Sequence, residues 1–299
     1  MGESDKLCAH LLSFGIQAEI LPRHSLEEVG ITRDTLWSGR IWRESLGSVQ
    51  VVGKRIGYIN IISERMESER SYHEVGRFLE YLVTLKEIPS SLCWAVLVAE
   101  ERGLLRRKVI DIDWRGGSIA EKLNSESTLK QNLLMEFQLS GPLNVVIAPE
   151  PIYQCIRIET PHRLPSANFF DCLELLARHI PQHVTELNSR PETVLLESKI
   201  EFNPHFKDDE IADLYVTDRC LRINSKKSFQ IPLYMVDDCD VLSQRVYEAA
   251  SRQAVNGYMV ALKYFDESGH RRKVEFRMHT GAVFLRDTIR TSYRYGISR

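Results

Sequence analysis

No CxxC pair, no phosphate-binding loop and no long apolar run occurs in these 299 residues. Each absence removes a class of function. The six cysteines, at 8, 93, 155, 172, 220 and 239, are scattered and form no Cys/His cluster with zinc spacing. They read as reduced thiols of a cytoplasmic protein rather than as a disulfide or metal framework. Neither GxxxxGK[ST] nor GxGxxG is present, which removes the ordinary nucleotide-binding loops. GxSxG is missing as well, so no serine is marked as a nucleophile. Charge of one sign is also lacking. With 39 basic and 41 acidic residues the net charge is -2, so no global field draws the chain to nucleic acid or anionic membranes. The longest apolar stretches, such as 92–99, are far shorter than the roughly 20 residues of a membrane-spanning helix. The polar, acidic start, residues 1–6, does not read as a secretory leader, and Lys6 stands where a myristoylation motif wants Ser or Thr. A cytoplasmic chain that spans no membrane, with no cofactor and no metal, is the expectation.

What is present is ordinary globular material, 43% apolar and 27% charged, in a chain long enough for two cores. Residues 4–15 read as a short helix, and 47–62 as extended, β-branched chain. Residues 72–85 carry both a helical spacing (Val75, Phe78, Leu79, Leu82) and a partial alternation; strand-like flanks favour strand. Residues 91–98 and 108–114 read as strands joined by a charged loop. Ser118 and Glu121 form a capping-box pattern opening a helix to about Phe137, which Asn124-Ser125 can break in two. A hairpin over 145–148 and 152–159 follows. Pro165-Ser166 then opens a helix expected to end near Pro181. Strands and helices without βαβ alternation make residues 1–185 a layered α+β domain. The polar stretch 186–192 is the linker candidate.

The third part, 193–299, reads as strands at 193–203, 211–216, 219–224 and 228–235. A short helix over 241–250 and a hairpin of 258–265 with 271–279 follow. In that hairpin Val260, Leu262 and Tyr264 alternate with Lys263, and Val274, Phe276 and Met278 alternate with Glu275 and Arg277. One face is therefore expected to be buried. On a closing helix, 282–295, Phe284, Leu285, Ile289 and Tyr293 make an apolar stripe. The run Leu214-Tyr215-Val216-Thr217-Asp218-Arg219-Cys220-Leu221-Arg222-Ile223, then Phe229-Gln230-Ile231-Pro232-Leu233, the long hairpin and the final helix resemble the pleckstrin-homology-like superfold, including its GRAM-type domains. The resemblance covers about the last third of the chain. It implies a small antiparallel β-barrel with a C-terminal capping helix. It also implies binding to a phosphoinositide, a peptide or another protein domain. The lipid-binding members carry a basic cluster in the loop between the first two strands. Here that loop, 204–210, is net acidic.

Four groups carry possible chemistry. His179 and His183 have the four-residue spacing of a helical metal pair, but no Glu follows as in HExxH. Pro181 between them is expected to end the helix first, so a polar helix terminus is the preferred reading. Asp111 and Asp113 alternate with Ile110 and Ile112 and fit a solvated strand face, with an enzyme using the two carboxylates as the third reading. Asp237, Asp238 and Asp240 read as a solvated turn, and Gly116-Gly117-Ser118 as a strand-to-helix turn rather than an anion cradle.

The fourth group is basic. From Lys263 to Arg299 there are nine basic and four acidic residues, a surplus of five. Arg271, Arg272 and Lys273 sit by the hairpin turn, and Arg286, Arg290 and Arg294 recur every four residues on the last helix. These six are the candidate partner-binding residues, and Arg106-Arg107-Lys108 can extend the surface. The functional expectation is a non-enzymatic cytosolic adaptor that docks a protein with an acidic surface. Peripheral binding to anionic headgroups is the alternative, and nucleic acid is not an expected partner.

Overall fold

The structure, a computed structural model, describes residues 2–22, 35–38, 41–67, 72–89, 93–103, 108–150, 153–202, 210–225, 228–247, 254–266 and 270–294. The loop 204–209, the arginines 106 and 107, and the hairpin-turn residues 267–269 lie outside them, as do the side chains of Arg290 and Arg294. The chain is α+β and divides into two compact units, one within Met1–Ser189 and the other within Arg190–Tyr295.

The first unit is built on an antiparallel sheet of nine strands: β1 (Ala18–Ile20), β2 (Thr35–Ser38), β3 (Ile41–Val51), β4 (Tyr58–Glu67), β5 (Tyr72–Thr84), β6 (Ala95–Arg102), β7 (Lys108–Gly116), β8 (Val145–Glu150) and β9 (Cys155–Pro161). Their order is β1-β3-β4-β5-β9-β8-β6-β7, with β2 pairing β3. Alternation puts Ile59, Ile61, Leu79, Tyr81, Ile147, Ile156 and Ile158 into one core. Helices α1 (Glu3–Ser13), α2 (Ser118–Ser125), α3 (Ser127–Ser140) and α4 (Ala167–Asn188) complete that core with Leu11, Ile119, Phe137 and Leu173 among others. β5 explains its own ambiguous spacing: Leu79, Tyr81 and Val83 are buried, and so are Glu80 and Leu82 between them. A strand covered on both faces loses the simple alternation.

Two helix expectations are corrected. The capping box at Ser118 does not form: Gly117 is the N-cap and no side chain caps it. The Gly117 N–H donates to the Trp94 carbonyl at 2.9 Å, so the chain enters α2 one residue early. Gly116 makes this possible at φ +142, where a Cβ would stand 2.5 Å from the Trp94 ring. The helix expected to end near Pro181 instead runs to Asn188. Pro181 removes one backbone hydrogen bond, but Ile180, Val184 and Leu187 stay buried on the same stripe and hold the helix through it. The expected linker 186–192 is thus helical as far as Asn188. The expected break after Asn124 is present, with Glu126 at φ -82, ψ 82 between α2 and α3. Asn124 pins it: its Oδ1 accepts the Trp114 N–H at 2.8 Å and its Nδ2 donates to the Trp114 carbonyl at 2.7 Å.

The second unit is an antiparallel sheet of seven strands: β10 (Val194–Phe202), β11 (Glu210–Thr217), β12 (Cys220–Asn224), β13 (Phe229–Pro232), β14 (Val236–Tyr247), β15 (Ala254–Phe265) and β16 (Arg271–Met278). Helix α5 (Ala282–Arg294) closes it. The order is β13-β12-β11-β10-β16-β15-β14, so the sheet is not sealed into a barrel and ends on β13 and β14. The helix expected at 241–250 is strand as far as Tyr247, because Val241 to Tyr247 pair residue by residue with β15; residues 248–250 are outside the described set. The hairpin buries Val260, Leu262, Phe276 and Met278 as expected, but Met259, Ala261 and Arg277 on the opposite face are buried too. On α5 the inward stripe is Ala282, Leu285 and Ile289. Phe284 lies about 100° around the helix from Leu285 and is 52% exposed, a correction to the expected stripe.

Candidate functional site

The continuation of α4 past Pro181 changes the standing of its two histidines. His179 and His183 lie one turn apart with ring planes 17° from parallel and centroids 6.1 Å apart. The elbow between α2 and α3 brings Glu126 to them. Its Oε1 lies 3.4 Å from His179 Nδ1 and 3.9 Å from His183 Nε2. One donor atom from each of the three residues falls within 4.8 Å of the others. Burial differs across the group: the His183 side chain is 5% exposed, while His179 and Glu126 keep 28% and 32%. Neither ring nitrogen of His183 has a hydrogen-bond partner among the described residues. Burial holds its imidazole below the ordinary histidine value, against the pull of Glu186 and Glu126. Next to the group, Lys122 pairs with Glu186 at 2.7 Å, and Gln182 donates to Glu186 at 3.0 Å. The expectation of no metal-ligating residues dismissed this pair because Pro181 was expected to end the helix. The apolar period continuing through Val184 and Leu187 was the signal against that.

The aspartates on β7 have a different character. A bulge shifts the β6–β7 register between Glu100↔Asp111 and Glu101↔Val109, leaving Ile110 as the extra residue. Val109, Ile112 and Trp114 are buried while Ile110 is 38% exposed, so the simple Ile110/Ile112 alternation fails there. Asp111 and Asp113 do share one shallow pocket, with Glu100 and Arg115. Both are already engaged, Asp111 with Lys130 at 3.1 Å and Asp113 with Arg115 at 3.4 Å. The Ile112 amide, then Lys130, hold the Asp111 carboxyl below the usual carboxylate range, the opposite of a poised general acid. Asp238 and Asp240 sit on strand β14 rather than in a turn, and both pair with Lys263, at 3.2 and 2.9 Å.

Of the basic residues, Arg271, Arg272 and Lys273 are exposed at the start of β16. Arg272 pairs with Asp266 at 2.7 Å, Lys273 with Glu275 at 2.5 Å, and Arg286 with the adjacent Asp287 at 2.8 Å. Local carboxylates therefore screen part of the surplus positive charge. The backbone of α5 carries Arg290 and Arg294 in the expected one-turn repeat.

Sequence reasoning missed one further constellation. Asn60, Glu80 and Glu159 lie directly opposite one another on β4, β5 and β9, so two carboxylates face each other in a buried cross-strand row. Like charges so placed repel. Two buried arginines offset this. Arg157 Nη1 donates to Glu80 at 2.8 Å and to Glu159 at 3.0 Å. Arg43 reaches Glu80 at 3.2 Å, Glu159 at 2.9 Å and Glu64 at 2.6 Å, and lies 5.5 Å from the centre of the Phe78 ring. Carboxylates outnumber guanidiniums, and burial pushes the Glu159 carboxyl above its usual range despite Arg157 and Arg43. With each arginine bridging two or more acids, this is a scaffold of the sheet.

No protein-family model matches this chain, and no curated protein matches it. No helix among the described residues is long and apolar enough to cross a membrane.

Proposed function

We propose that this chain is a non-enzymatic cytosolic adaptor whose second unit is pleckstrin-homology-like and docks a protein partner along α5. The strand order supports the fold assignment. A four-strand meander, β10 to β13, joins a three-strand meander, β14 to β16, through the β10–β16 pair, and a single helix follows. The observation that carries the docking reading is the exposure of two adjacent apolar side chains on that helix, Val283 at 43% and Phe284 at 52%. A ring of this kind, buried in a partner's pocket, is worth about 1.5–3 kcal/mol, enough to anchor an interface. Arg286, Arg290 and Arg294 on the same helix, with Arg271, Arg272 and Lys273, would supply orientation and association rate toward an acidic surface.

The alternative, anionic membrane headgroups, has weaker support, because three of the exposed cations already face carboxylates. An enzyme based on Asp111 and Asp113 has weaker support still, since both are held as exposed ion pairs. The test compares pull-downs from native extract with the full wild-type chain, Phe284→Asp, and Arg286→Glu combined with Arg290→Glu and Arg294→Glu. Loss of the same partner in both variants is expected. Unchanged recovery in both sinks the reading. Flotation of the wild-type chain on acidic vesicles, abolished by the arginine changes and indifferent to Phe284→Asp, would replace it with the membrane reading.

A further inference from the structure

We infer that Glu126, His179 and His183 form a binding site for one divalent transition-metal ion of the zinc class. The donor set is chemically suited: two imidazoles and a carboxylate are ligands that zinc accepts, with zinc–nitrogen distances of about 2.0–2.1 Å. Tetrahedral geometry at those lengths places neighbouring donors about 3.3 Å apart. The observed separations, 3.4 Å from Glu126 to His179 and 3.9 Å from Glu126 to His183, stand close to that figure. Small side-chain rotations complete the triangle, because all three donors already lie within 4.8 Å.

The second observation is independent of spacing. His183 is 4% exposed and both its ring nitrogens lack a hydrogen-bond partner among the described residues. A buried imidazole is ordinarily held by such a partner. Here its Nε2 stands 3.9 Å from the Glu126 carboxylate, beyond hydrogen-bond reach and at a separation that one shared metal ion could bridge. Local charge agrees as well: Lys122 is matched by Glu186, which leaves the Glu126 carboxylate to face an incoming cation. Three protein ligands leave a fourth position, and the part-exposed side of His179 and Glu126 opens it to solvent. A bound ion would tie the α2–α3 elbow to the middle of α4, so its effect reaches the stability of the first unit as well as its chemistry.

The test uses the full-length chain, stripped with chelator and titrated with Co²⁺ alone and then Zn²⁺ alone under a non-thiol reductant. One equivalent of Co²⁺ with the visible bands of a tetrahedral nitrogen/oxygen site is expected, displaced by one equivalent of Zn²⁺. Zn²⁺ should also raise the melting temperature followed by tryptophan emission. Glu126→Gln and His179→Ala change part-exposed residues, and each should weaken Co²⁺ binding at least tenfold while leaving the metal-free melt in place. His162→Ala, outside the group, should bind as wild type does. Absence of stoichiometric Co²⁺ binding overturns the site. So does binding that both variants leave intact, or a spectrum dominated by thiolate charge transfer, which would assign the metal to cysteine. Should one variant fold poorly, the other still decides the matter.

Discussion

The two units solve the same problem, a large antiparallel sheet, with different interiors. In the second unit Leu214, Val216, Leu221, Ile223, Val260, Leu262, Phe276 and Met278 meet Leu285 and Ile289 of α5 in an apolar core. Two of its ion pairs, Arg272–Asp266 and Lys263–Asp240, lie where water still reaches them, and the buried Arg277 meets the part-exposed Glu201 at 3.0 Å. The first unit has an apolar core on one face of its sheet and, on the opposite face, the buried lattice of Arg43, Arg157, Glu80 and Glu159. The lesson concerns what each tolerates. An apolar core loses stability in proportion to volume removed, whereas a buried charge lattice fails when one partner is taken away and the other is left unpaired.

All four tryptophans, at 37, 42, 94 and 114, belong to the first unit, so the two interiors can be followed separately. The largest effect is expected from Arg157→Ala. It removes one of the two guanidiniums that bridge Glu80 and Glu159, leaves Arg43 alone between the two buried carboxylates, and should cost about 3–5 kcal/mol, read as a fall in the urea midpoint of tryptophan emission. A cost below about 1 kcal/mol would mean that the lattice is held by something other than its charges. Phe276→Ala makes the matching change in the other unit. A cavity there should cost about 3–5 kcal/mol in the part of the circular dichroism signal that belongs to the second unit, and leave the tryptophan transition in place. Movement of both transitions would break the comparison, since the units would then unfold as one.

A smaller effect follows from the carboxylate surplus. The folded state holds the Glu159 proton to higher pH than the unfolded chain does, because burial raises that carboxyl above 4.5. Between those two values the native state binds more protons, so the Glu159 contribution to stability falls as pH rises through that window. Glu159→Gln should flatten this part of the tryptophan-detected pH profile. An unchanged slope would show that Glu159 titrates as it does in the unfolded chain. The smallest effect belongs to Arg272→Ala. Its pair with Asp266 is exposed to water, and its loss should shift stability by less than about 1 kcal/mol. A cost on the scale of Arg157→Ala would erase the distinction between the two kinds of ion pair.

The elements were legible wherever one short-range pattern dominated. The strands of the 258–279 hairpin and the break after Asn124 follow from alternation and from a residue with competing backbone bonds. Patterns that needed a neighbour to interpret them misled. Pro181 looks like a helix end until the buried stripe of Ile180, Val184 and Leu187 is seen to outweigh one lost hydrogen bond. Residues 241–247 look like a short helix until β15 supplies a pairing partner along their whole length. Phe284 reads as core because it adjoins Leu285, and only the helix phase set by packing turns it outward.

Composition and periodicity by themselves determined that this chain is α+β, made from ordinary apolar material with a net charge of -2. They could do so because burial and alternation are local demands, written within a few residues of where they act. Tertiary structure alone decided that Glu126 meets two histidines more than fifty positions away, and that Glu80 and Glu159 face each other between two guanidiniums. Those arrangements depend on strand register and helix docking. Both are set by the sum of many weak contacts across the fold, and no short stretch of sequence contains that sum.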